Sequence, residues 1–163
     1  MKTLIILSAL LSASSLLACP NLEGTYSACY EDQIFDENKN PIGGRIHNVI
    51  IEQEKVDGKE SYIFQYKDND ENDGTIRPHG SVVANGKTVS NRYDLWTRTD
   101  VEHEMTAKCQ GDSLIINSKV SQNGKVVSET SETFTKLPDS KLKHSIKGSA
   151  FGKSVAVSRD CQP

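Results

Sequence analysis

The sequence lacks the residue patterns of several common functional classes. The four histidines are scattered, and neither His-x-x-x-His nor Cys-x-x-Cys occurs, which excludes the usual zinc motifs. Gly-x-Ser-x-Gly is also absent. The segment Gly148–Gly152 has the two outer glycines but departs from this nucleophile motif at its centre. No basic cluster is present, so nucleic acid is not an expected partner. We therefore predict that the protein is not an enzyme and binds no metal or cofactor.

One histidine has acidic neighbours, but their spacing argues against catalysis. Glu102 and Glu104 flank His103. Alternate residues of a strand share a face, so both carboxylates are predicted to point away from the imidazole.

Long apolar runs are rare, and the only one lies at the N-terminus. Leu4 to Leu17 is apolar apart from serines, Lys2 is the only charge before Glu23, and Ala18 is a small residue at a cleavage point. This pattern predicts that residues 1–18 form a signal peptide and that residues 19–163 form a single domain, secreted or located in the periplasm of a bacterial envelope. Of the 19 basic residues only Lys2 is removed, which leaves 18 against 22 acidic residues and a net charge of −4.

Leu16-Leu17-Ala18-Cys19 also resembles the lipobox of bacterial lipoproteins. That resemblance implies acylation of Cys19 and attachment to a membrane, whereas simple cleavage after Ala18 leaves the protein free of one. An even number of cysteines favours simple cleavage, because acylation would leave one of the other three cysteines unpaired.

The four cysteines predict two disulfides in an oxidising compartment, and they allow three pairings. If the strands alternate up and down, Cys109 and Cys161 end at the same rim. This favours Cys109–Cys161 with Cys19–Cys29, although the second bridge requires the N-terminus to double back. The rival pairing is Cys19–Cys161 with Cys29–Cys109, which would join first and last strands in a closed barrel.

Strand-like alternation and tight turns recur along the chain, and no stretch of 11 or more residues keeps a helical period. Residues 104–137 are typical, because apolar and polar residues alternate on both sides of Gly111-Asp112 and Asn123-Gly124. Asp57-Gly58 and Asn85-Gly86 give further hairpin signals. Pro78 indicates an edge strand or a bulge. We predict an all-β, antiparallel, up-and-down meander of 8–10 strands that closes into a small barrel, with a sandwich as the alternative.

Two stretches resemble the calycins, the group that contains lipocalins and fatty-acid-binding proteins. Leu22 to Tyr26 is similar to the Gly-x-Trp signature of the first lipocalin strand, with Tyr26 in place of tryptophan. Residues 123–159 are similar to the final hairpins of fatty-acid-binding proteins, with Gly-Lys turns and a terminal Arg159. The resemblance implies a barrel that binds an apolar or amphipathic ligand.

Candidate binding residues are few. Tyr62, Phe64 and Tyr66 share one strand face and are candidates for lining a ligand cavity, with plain core packing as the alternative. Trp96 and Arg98 are further lining candidates. In calycins a tryptophan and an arginine often pack at the closed end, but these two do not occupy the family positions. Asp68 to Gly74 resembles part of a calcium loop but fails at two defining positions, so a solvated tip is predicted.

Two functions remain open. The first is a binding protein for a small apolar or amphipathic ligand, which a large apolar cavity would favour. The second is an envelope protein, for example a hydrolase inhibitor, that binds a protein partner through the loops at residues 31–44 and 68–74. A filled interior would favour this second function.

Overall fold

The computed structural model describes residues 18–31, 34–35, 41–43, 46–68, 76–94 and 99–163. These residues form antiparallel strands and one 3-10 turn, which confirms the all-β prediction. The described part contains no helix long and apolar enough to cross a membrane. The elements in chain order are β1 Gly24–Glu31, β2 Ile34–Phe35, β3 Pro41–Gly43, β4 Ile46–Val56, β5 Lys59–Asp68, β6 Ile76–Val83, β7 Gly86–Asp94, β8 Thr99–Gln110, β9 Ser113–Gln122, β10 Lys125–Lys136, the 3-10 helix Pro138–Ser140, β11 Leu142–Ala150 and β12 Lys153–Cys161.

The strands form two main sheets. One has the order β1-β4-β5-β6, and the other has the order β12-β11-β10-β9-β8-β7. Among the described residues, β2 pairs only with β3. Consecutive strands within each main sheet are antiparallel neighbours, as predicted for a meander, apart from the β2–β3 pair between β1 and β4. Neither sheet closes on itself within the described residues, so closure into a barrel stays a prediction.

The two sheets meet at two seams. At the first, the N–H of Ser27 in β1 donates to the carbonyl of Gln162, just beyond β12, at 2.7 Å. At the second, β6 leads into β7 through Ala84 and Asn85, but the two strands belong to different sheets. The hairpin predicted at Asn85-Gly86 is therefore wrong, although the turn itself is present.

Both sheets contribute to one hydrophobic core. The phenyl ring of Phe64 in β5 stacks on that of Phe134 in β10, with centroids 4.8 Å apart. Phe134 stacks in turn on the imidazole of His144 in β11 at 4.6 Å. The remaining members of the core cluster are Leu22, Tyr26, Cys29, Val49, Ile51, Tyr62, Tyr66, Val82, Ala84, Ala107, Cys109, Leu114, Ile116, Leu142 and Cys161.

The disulfides join Cys19 to Cys109 and Cys29 to Cys161, so both pairings considered from the sequence are wrong. Cys109 and Cys161 do lie at the same end of the larger sheet, because β8 and β12 run in the same direction. However, four interstrand spacings of about 4.8 Å separate them by about 19 Å, and a bridge requires about 7 Å or less. The N-terminal segment crosses this end and bonds each cysteine separately.

These bridges bear on location and on lipidation. Two disulfides in the fold indicate an oxidising, extracytoplasmic compartment. The sulfur of Cys19 is bonded to that of Cys109, so it cannot also carry the thioether that the lipobox resemblance implies.

Candidate functional site

The inner wall is the face of the larger sheet that carries the core. Directly opposite residues of antiparallel strands point to the same face of a sheet. The strand register therefore shows which side chains lie on the inner wall. Ala107 and Ile116 form a buried row of this wall. The next row is Met105 opposite Ser118, and the one after it is His103 opposite Val120. Beyond the core, polar side chains therefore mix with apolar ones on the inner wall, and the row after His103 pairs buried Val101 with Gln122.

We name this polar continuation of the inner wall the polar band. Its members share a face, are exposed or half-buried, and belong to four neighbouring strands, β7 to β10. They are Thr88, Ser90, His103, Ser118, Ser128 and Thr130. Apolar Met105 and Val120 alternate with them, and Met105 also packs against the core. The band can therefore contact both polar and apolar parts of a ligand.

A short hydrogen bond lies within the polar band. His103 Nε2 and Ser118 Oγ are 2.6 Å apart. A serine beside a histidine resembles a nucleophile with its base, but acyl transfer also needs N–H donors for the oxyanion. In the interior strands β8 and β9 these backbone groups are used by the ladders on both sides. The paired backbone of β8 and β9 therefore supplies no oxyanion donors to this serine and histidine.

The predicted orientation of the neighbouring carboxylates agrees with this register. Glu104 lies on the opposite face of β8, where its carboxylate accepts from Lys87 Nζ at 2.7 Å. It therefore does not assist His103.

A buried polar pair lies next to the polar band. Glu132 is on the inner wall between Ile116 and Ile146, and its Oε1 is 2.6 Å from His144 Nε2. His144 is fully buried, and its Nδ1 is 3.1 Å from the carbonyl oxygen of Cys29. The carboxylate of Glu132 and the carbonyl of Cys29 are both acceptors. Both ring nitrogens of a protonated histidine are donors, so a charged pair satisfies all of these groups. The pair thus fixes a carboxylate at the boundary between core and polar band.

The predicted lining residues lie in two places. Tyr62, Phe64 and Tyr66 are buried in the core, where Tyr62 Oη donates to the carbonyl of Pro20 at 2.7 Å. Their packing fits the core alternative, and a role in lining a cavity stays a prediction. Trp96 and Arg98 lie outside the described residues, as does most of the Asp68–Gly74 segment. In the described part, no three His, Cys, Asp or Glu side chains cluster as metal ligands.

The sequence did not single out Ser118, Glu132 or His144 as partners. Each of these contacts joins residues of different strands, so the register of the strands determines it.

The chain matches no protein-family model, no curated protein and no solved structure.

Proposed function

We propose that this is a secreted or periplasmic, calycin-like binding protein whose small amphipathic ligand lies against the polar band. The observation that carries the proposal is the change along one sheet face from a packed apolar core to hydroxyl and imidazole groups interspersed with apolar side chains. Pockets for small molecules combine apolar lining with a few oriented polar groups.

The contact between Lys136 and Tyr26 offers further support. Lys136 Nζ donates to Tyr26 Oη at 2.9 Å and lies 5.3 Å from the centre of the tyrosine ring. Calycins often pack a tryptophan and an arginine at the closed end of the barrel, and the Tyr26–Lys136 contact resembles that pair if Tyr26 stands in place of the signature tryptophan. Closure of the two sheets into a barrel at their two seams is part of the same proposal.

A fluorescent amphiphile tests the proposed site. Titration of the disulfide-intact protein with anilinonaphthalene sulfonate should show saturable binding, and Ser118→Ala should weaken it about fivefold, as expected for one lost hydrogen bond. Ser121→Ala is the matched control, because Ser121 lies on the same strand but on the opposite face. Equal effects of the two substitutions, at unchanged stability, would reject the polar band as the site.

A protein-binding function is the second candidate, and one observation favours it. The core between the sheets is filled by stacked Phe64 and Phe134. A filled interior leaves recognition to the loops, as in a hydrolase inhibitor of the envelope. Native mass spectrometry of the protein purified from its source separates the candidates, since a retained small molecule supports the first and a bound protein supports the second.

A further inference from the structure

The chain contains the tripeptide Asn-Gly-Lys twice, in two different backbone settings. At Asn123-Gly124 both residues form the turn between β9 and β10, with φ of 50° and 72°. At Asn85-Gly86 the turn consists of Ala84 and Asn85, and the glycine is already the first residue of β7, where it pairs with Ala107. The amide of Gly124 is therefore outside any ladder, whereas Gly86 belongs to one.

The two asparagine side chains also differ. Asn85 Oδ1 accepts the backbone N–H of Cys109 at 3.1 Å, and its Nδ2 is 3.9 Å from Cys19 Sγ, which is bonded to Cys109. The side chain is thus held against β8. Both asparagines are exposed, but no hydrogen bond of the Asn123 side chain occurs in the described part of the chain.

This contrast matters because an Asn-Gly pair can react with itself. The glycine nitrogen attacks Cγ of the asparagine, a nitrogen–carbon bond forms, and the bond from Cγ to Nδ2 breaks. Ammonia leaves with the proton of the glycine amide, and a cyclic imide remains. Water then opens the imide to aspartate or isoaspartate, so water is the only co-reactant. The attack requires a side chain that can rotate towards the glycine nitrogen and a nitrogen that is accessible.

We infer that Asn123 is a site of spontaneous deamidation and that the fold protects Asn85. The site has a structural consequence, because Asn123 and Gly124 line a surface groove of about 420 Å³ that also contains Asp100 and Glu102. The reaction adds a third carboxylate to this groove and lowers the net charge of the protein by one. Isoaspartate also lengthens the main chain within the turn, which disturbs the end of the β9–β10 hairpin.

Heavy-oxygen labelling tests the inference. The folded, disulfide-intact protein is incubated in mildly alkaline heavy-oxygen water and then analysed by peptide mass spectrometry. We expect about tenfold more label at position 123 than at position 85, the factor that a free-energy difference of about 1.4 kcal/mol represents.

The reduced, denatured chain is the control, because the two identical tripeptides should then be labelled equally. Equal labelling in the folded protein, or faster labelling at position 85, would overturn the inference. Faster reaction at position 85 would mean that the Cys109 N–H activates the Asn85 amide instead of restraining it. Asn123→Gln should remove most of the charge change seen by isoelectric focusing while Asn85 stays unmodified.

Discussion

The two Asn-Gly-Lys segments have the same sequence, but one joins paired strands of one sheet and the other joins strands of different sheets. At Asn123 the chain turns back on the strand it has just left, and β9 and β10 pair along their length. At Asn85 the chain leaves one sheet and enters the other. The N–H of Ala84 still donates to the backbone carbonyl of Glu60 in β5 at 2.8 Å, whereas Gly86 already pairs with Ala107 of β8. A single residue therefore separates the hydrogen bonds of the two sheets.

The surroundings explain this difference. The β9–β10 ladder aligns Leu114 with Phe134, so hairpin pairing and core packing favour the same register. Before Asn85, β6 contains Pro78 and is irregular opposite Phe64 and Gln65. Because proline cannot donate to a ladder, β6 is suited to an edge. Asn-Gly thus favours a positive-φ turn, but the flanking strands decide whether that turn becomes a hairpin.

The largest expected effect comes from removing the disulfide beside Asn85. Cys19→Ser combined with Cys109→Ser opens a bridge across a sequence separation of 90 residues, which should cost about 4 kcal/mol of unfolding free energy. Urea denaturation measures the loss. Cys29→Ser with Cys161→Ser is the control, since this bridge spans 132 residues and should cost a similar amount. Only the first variant should speed amide exchange at Gly86, so equal exchange in both variants would contradict the proposed restraint of the turn.

Alanine substitution at the two asparagines should reduce stability by different amounts, and both losses should be smaller than that from removing the disulfide. Asn85 and Asn123 both have positive φ, at 54° and 50°, so alanine at either position should cost about 1 kcal/mol in backbone strain. Only Asn85→Ala also removes the acceptor of the Cys109 N–H, which should add about 1–2 kcal/mol. Thermal unfolding of both variants tests this ranking. Asn85→Asp keeps an acceptor and should be the mildest change at that position, and equal losses at the two positions would contradict the difference between the turns.

Local features of the fold were predictable because local chemistry determines them. Alternation of Met105, Ala107 and Cys109 with polar residues predicted a strand with one buried face, and the structure has it. Asp57-Gly58 and Asn123-Gly124 predicted tight turns, and all four residues have positive φ. The change of sheet at Asn85 depends on contacts with β5 and β8, which lie outside any local window.

The site and the disulfides were less predictable for the same reason. The bond between His103 and Ser118 depends on register, and a shift by one residue would turn the serine to the other face. The irregularity between Val126 and Ser128 likewise affects which β10 side chains face inward. Cys109 and Cys161 lie at the same rim of the sheet, as predicted, but the N-terminal segment crosses that rim and bonds to both. The path of this segment depends on tertiary contacts, and the number of cysteines alone does not determine it.

The smallest expected effect concerns Tyr62, whose hydroxyl holds the same N-terminal segment through Pro20. Burial raises the pKa of Tyr62 well above its usual value, and the nearby charge of Glu60 raises it further. A raised pKa means that the folded state keeps a proton which the unfolded chain loses above about pH 10. This contribution to stability is fully present below that pH and is lost as the pH rises towards the folded pKa.

Tyr62→Phe should therefore lower the unfolding free energy by about 1 kcal/mol at neutral pH, because one hydrogen bond is lost. It should also flatten the decline of stability above about pH 10, because phenylalanine has no proton to lose. Urea denaturation at neutral and alkaline pH measures both effects. Tyr26→Phe is the control, because it also removes one buried hydroxyl that donates to a backbone carbonyl, that of Leu22 at 2.9 Å. If the unfolding free energy declined equally steeply at alkaline pH in the wild type and in Tyr62→Phe, groups other than Tyr62 would cause the decline. That result would contradict the role proposed for the Tyr62 proton.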